Sequence, residues 1–111
     1  MKYLCLVYLD ERQLEEVPDR DCLAFSKELR ASGRQLAAEA LQSVDAATTV
    51  RVRNGKVSMT DGPFAETKEQ LAGFYLIDAH DLNEAVQVAS KIPPARVGSI
   101  EVRPVRELSV R

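Results

Sequence analysis

The chain has no tryptophan, one histidine, two cysteines and few aromatic rings, 5% of its 111 residues. His80 stands far in sequence from Cys5 and Cys22. That gives no metal-ligand spacing, so no metal centre is expected. Arg51, Arg53 and Lys56 alternate along one stretch without interleaved aromatics. Such a stretch is a solvated strand face and not a platform on which bases stack. There is no excess of one charge either: 15 basic and 17 acidic side chains leave a net charge of −2, which supplies no field to draw in nucleic acid or anionic lipid. No glycine-rich phosphate loop and no Gly-x-Ser-x-Gly elbow occurs, so no cofactor is indicated. The first apolar run is cut by Asp10 and Glu11 and has no small-residue cleavage site, so export by a signal peptide is not expected. Cys5 and Cys22 lie in apolar patterns and read as small buried hydrophobes, which places the protein in a reducing, cytoplasmic compartment with no need of a membrane.

What is present builds one domain, residues 1–111, with a core large enough to fold without staples. Lys2 to Leu9 is apolar at both parities, as a strand covered on both faces would be. The polar stretch from Asp10 to Asp19 reads as a loop, with Asp19 or Asp21 as the N-cap of a helix over about Asp21 to Ser32. Cys22, Phe25 and Leu29 form its apolar stripe, and Ser32-Gly33 its stop. Gln35 to Leu41 is read as a returning strand. Asn54-Gly55 marks a two-residue hairpin within Thr48 to Thr60, which pairs Arg53 with Lys56, Val52 with Val57 and Val50 with Met59. Glu66 to Leu71 is read as a helical turn, and Phe74 to Ile77 as a second central strand. Asp81 and Glu84 have capping-box spacing before a helix that Pro93-Pro94 ends, and Ser99 to Val105 reads as an outer strand.

Strand, helix, strand, hairpin, strand, helix, strand describes an α+β, ferredoxin-like domain, βαβ-hairpin-βαβ. Both helices then lie on one face of the sheet. The central strands are apolar on both faces, so the other face needs a cover. A second copy, sheet against sheet, closes a dimeric α/β barrel with space between the sheets.

The densest cluster of shaped backbone and ionisable groups is Thr60 to Asp78. Gly62 can take a positive φ, and Pro63 holds residue 62 out of the helical region, which sets Asp61 at a corner. Asp61 is the candidate general base, with a turn aspartate as the alternative reading, and Lys68 the candidate anion contact. Phe64, Glu66, Tyr75 and Tyr8 are the candidate ligand-binding residues. His80, in a strand-to-helix connection, reads as an exposed loop residue.

Asp61-Gly62-Pro63-Phe64, continued through Glu66 to Asp78, resembles the signature of the DGPF or YCII-related proteins, and the resemblance runs from the first strand to Pro104. It implies the same dimeric barrel. In the wider group it also implies a histidine near the start of the first helix, working with an aspartate, in a few members that eliminate or isomerise small oxygenated ring compounds. The matching place here is about Cys22 and no histidine precedes His80, so that pair does not carry over. Cys22 as a thiolate near a helix N-terminus is weighed against simple packing. Resemblance to DGPF relatives further implies a link to sigma factors of the extracytoplasmic-function type. The expectation is a small homodimer holding an organic ligand between its sheets, a lyase or isomerase in its enzyme version. The alternative is a non-catalytic sensor or interaction module beside a transcription regulator.

Overall fold

A computed structural model describes residues 1–110. Four antiparallel strands form the main sheet: β1 (Lys2–Leu9), β2 (Gln35–Ala40), β5 (Gln70–Asp78) and β6 (Ser99–Pro104), in the order β2-β5-β1-β6. This is the ferredoxin-like arrangement expected, with β1 and β5 central and β6 outermost. A hairpin of β3 (Thr48–Arg53) and β4 (Lys56–Asp61) pairs only with itself, as a separate two-stranded sheet. Its register joins Val52 to Val57 and Val50 to Met59, and Asn54 and Gly55 both take positive φ, 52° and 73°. Those angles suit the tight turn whose twist matches its strands.

Alternation along β1 and β5 divides the sheet into two unlike faces. Tyr3, Cys5, Val7 and Leu9 are buried, as are Tyr75 and Ile77. They form one core with Leu29 of α1 (Asp19–Ala31) and Ala85, Val88 and Ala89 of α2 (Leu82–Ser90). The other face carries Leu4 opposite Leu76 and Leu6 opposite Phe74, all half-buried. Neither helix contributes to that stripe. It is flanked by Glu39 on β2 and by Glu101 and Arg103 on β6.

The whole is flat and extended, 46 × 46 × 19 Å. Its radius of gyration of 15.9 Å exceeds the roughly 13 Å of a compact 100-residue domain. The projecting hairpin contributes to this, and Val50, Val52, Val57 and Met59 on one of its faces are 57 to 73% exposed.

Local expectations are corrected at four places. Glu66 to Leu71 is not a helical turn: residues 62–69 are irregular, because Thr67 Oγ1 donates to the Glu69 carbonyl at 2.6 Å and Gln70 Nε2 to that of Thr67 at 2.8 Å. Side chains bonded this way compete with helical turns. The strand then begins at Gln70 and passes through Gly73, where a β-carbon would come within 2.8 Å of the Glu39 carbonyl. Glycine there permits close backbone approach instead of ending the strand. In place of the loop after β1, Glu11–Glu16 forms a 3₁₀ turn capped by Asp10, which accepts from the Arg12 amide at 3.0 Å. Pro18, without a side-chain cap, precedes α1, so neither Asp19 nor Asp21 is its N-cap. At α2 only half of the capping box forms: Asp81 accepts from the Glu84 amide at 2.9 Å, while the Glu84 carboxylate lies 3.5 Å from Arg34.

Candidate functional site

The corner after β4 is held by its backbone. Gly62 has a φ of +99°, its N–H donates to the Ala47 carbonyl at 2.7 Å, and its carbonyl accepts from Thr49 Oγ1 at 2.8 Å. These bonds tie the corner to the base of β3. Glu11 secures a second wall, since its carboxylate accepts from Ser43 Oγ and from the Val44 amide, each at 2.9 Å. Gln70 joins the two, its Oε1 accepting from the Glu11 amide at 3.2 Å while its Nε2 holds the Thr67 carbonyl.

Between these walls and the uncovered sheet face lies a cavity of about 760 Å³. Its floor is Tyr8 and Leu71, which pair across β1 and β5 beyond a bulge at Val7/Tyr8. Pro63, Phe64 and Ala65 form one wall, and Val44 and Ala47 stand on another. Volumes of roughly 300–1,000 Å³ with mostly apolar linings are usual for small-molecule sites.

Of the residues singled out in the sequence, Tyr8 and Phe64 meet in this cavity. Asp61, Glu66 and Lys68 are exposed and none lines it. Among the described residues no ion pair joins Asp61 to Lys68, and the Asp61 carboxylate accepts no hydrogen bond from neighbouring amides. Lys68 lies instead within electrostatic reach of Asp10, whose carboxyl is held down at about 2, chiefly by the Arg12 side chain and amide. That pair is bidentate, Nε to Oδ1 at 3.0 Å and Nη2 to Oδ2 at 2.6 Å.

Tyr75 lies on the opposite face of the sheet, edge-on to Phe25, and burial pushes its hydroxyl up to about 12. Beside it a second cavity of about 400 Å³ is lined by Cys22, Ser26 and Ala38 among others. Burial, and next Asp19 and Asp21, raise the Cys22 thiol, which keeps it a thiol and favours the packing reading. His80 is exposed, with Nδ1 3.5 Å from Asp81 Oδ2. Among the described residues no group of three or more His, Cys, Asp or Glu could hold a metal ion, and no helix is long and apolar enough to cross a membrane.

Glu11, Ser43, Thr49 and Gln70 are the residues that the sequence reading missed. Ser43 contacts a glutamate 32 positions away and Gln70 an amide 59 positions away, so no local pattern exposes either.

The YCII-related domain family matches residues 1–109. An uncharacterized protein of Rhizobium meliloti (strain 1021) is 40% identical over 114 aligned residues, which span 95% of this chain and 92% of that protein. Both matches run through both halves of the sheet and the Asp61 to Phe64 corner. The chain belongs to the YCII-related domain family.

Proposed function

We propose that the protein is a cytoplasmic homodimer that binds a small organic molecule in the cavity beneath the Gly62 corner. The observation that carries this reading is the cavity itself, which opens beside an apolar sheet face that no helix covers. A second copy laid on that face would bury Leu4, Leu6, Phe74 and Leu76 and enclose the cavity from above. The flat shape of the protomer supports the same assembly, because a domain 19 Å thin leaves half its sheet without a layer. Free Cys5 and Cys22 suit a reducing compartment.

Two versions of the function differ in what Asp61 does. In a lyase or isomerase, Asp61 would take a proton and Lys68 would steady the anion formed, both reaching a ligand only after the sheets close. In a non-catalytic sensor or interaction module, linked to a sigma-factor-type regulator, binding alone is the function. The second version is favoured by one observation: Asp61, Glu66 and Lys68 stand outside the cavity lining. A thermal-shift screen of small organic molecules against the wild-type protein tests the shared claim, since a ligand that binds only the folded state raises the midpoint. A hit whose effect disappears when the cavity is filled by Ala47→Trp supports the site, and a hit indifferent to that change places binding elsewhere.

A further inference from the structure

The lining of this cavity differs from the charged stretch that borders it. Among the described residues that line it, the one ionisable side chain is the phenol of Tyr8. The other polar groups are hydroxyls and carboxamides, and most of them are already used to build the walls. Ser43 Oγ donates to Glu11, Thr49 Oγ1 to the Gly62 carbonyl and Thr67 Oγ1 to that of Glu69, and both ends of the Gln70 amide are bonded. Gln42 and Thr48 have no side-chain hydrogen bond among the described residues, but both are exposed. The half-buried Tyr8 hydroxyl makes no hydrogen bond within the described residues, and so it is the free polar group on the cavity floor.

An anion in such a place would give up water without meeting a counter-charge, which disfavours the charged form. Glu11 reinforces this, because its carboxylate sits behind the Ser43-Val44 wall with both oxygens engaged and repels a second negative charge. A cation finds no free carboxylate in the lining. An uncharged molecule loses little on entry, and one acceptor atom can meet the Tyr8 O–H.

We propose that the cavity selects uncharged, largely apolar ligands carrying a hydrogen-bonding oxygen that accepts from Tyr8. This rests on the reading of the cavity as the ligand site and adds the chemical class. Three probes of similar shape and different charge separate the two claims: naphthol, naphthoate and naphthylmethylamine, titrated into the full-length protein by calorimetry and by thermal shift. Naphthol is expected to bind at least about tenfold more tightly than either ion. Tyr8→Phe, which keeps the ring, should weaken naphthol by about fivefold, as the loss of one ordinary hydrogen bond does. Ala47→Trp should abolish binding; if that variant does not fold, Ala65→Trp on the exposed wall serves instead.

Naphthoate or the amine binding as tightly as naphthol, in a manner that cavity filling abolishes, would overturn the charge preference while leaving the cavity as a site. Unchanged naphthol binding by Tyr8→Phe would overturn the assignment of the hydroxyl. If none of the probes binds, or if binding survives both cavity-filling changes, the cavity itself is rejected as a site and the proposed ligand class goes with it.

Discussion

Phe25 of α1 stands edge-on to Tyr75 of β5, with ring centroids 5.5 Å apart and planes at 85°. This contact fixes Tyr75 into the helix-covered core and removes it from the cavity that Tyr8 floors on the other face. The two tyrosines stand on neighbouring strands, β1 and β5, with their side chains on opposite faces of the sheet. Tyr75 becomes a packing residue with a suppressed acid, and Tyr8 keeps a hydroxyl with no partner among the described residues.

Gly62 and Gly98 should respond differently to alanine. At Gly62 a β-carbon meets nothing within 4 Å, so the cost is backbone conformation at φ +99°, about 1 kcal/mol. At Gly98 a β-carbon would collide with the Tyr8 carbonyl and lie 2.8 Å from Leu9 Cβ, which requires the strand to move. We expect Gly98→Ala to cost at least about 3 kcal/mol, in the upper range of overpacked sites. Urea midpoints of both variants check the order, and equal midpoints would contradict it.

Acid should act through Asp10. Its carboxyl is lowered from 3.8 to about 2 in the folded chain, so the unfolded chain binds the proton more readily. The resulting stabilisation is complete above the unfolded value and is lost as pH falls from about 4 through about 2. Asp10→Asn should lower the urea midpoint at neutral pH and flatten this acid limb. Parallel acid limbs in the two proteins would show that other carboxyls control it.

Asp61→Asn and Lys68→Met should each leave stability within about 0.5 kcal/mol of the parent, because both side chains are exposed, neither forms an ion pair among the described residues, and Lys68 is the weakest of the influences on Asp10. Once a ligand is in hand, the enzyme reading expects turnover to fall by about 10²-fold or more in Asp61→Asn. The sensor reading expects affinity to stay unchanged in both. Turnover measured beside affinity distinguishes the two.

Leu6→Arg tests the assembly. Leu6 lies in the middle of the uncovered face, paired with Phe74 on one side and Glu101 on the other. Packing sheet against sheet would strip water from a guanidinium there and leave it only Glu101, already bonded to Arg103, as a counter-charge, while in a separated protomer it reaches water. The parent should show the mass of two chains by light scattering at micromolar concentration, and the variant the mass of one with its circular dichroism retained. A parent that runs as one chain would contradict the dimer.

The strand order, the hairpin register and the two helices were legible because each is written in local periodicity or a two-residue turn. Val52 meets Val57 because Asn54-Gly55 leaves no other register for a tight loop. The corner was legible too, since Gly62-Pro63 admits few conformations. The cavity was not. Tyr8 and Phe64 could be named as candidates, but Glu11, Ser43 and Gln70 are brought together by the sheet and carry no spacing of their own. The ionisable cluster at Asp61, Glu66 and Lys68 drew the reading toward charge chemistry, whereas the space beside it is lined by neutral groups.

The position of β1 between β5 and β6 has a consequence for synthesis. Its eight residues, nearly all apolar, are made before the rest of their sheet, and they cannot pair until Gln70 and the residues after it have been made. At about 5–20 residues per second the wait lasts several seconds, with the edges of an apolar strand unpaired. The β3-β4 hairpin needs only its own residues and can close on the microsecond scale as soon as it is free. The chain therefore completes its projecting ribbon before its core, and the first strand is the segment most in need of shielding by a chaperone while translation continues.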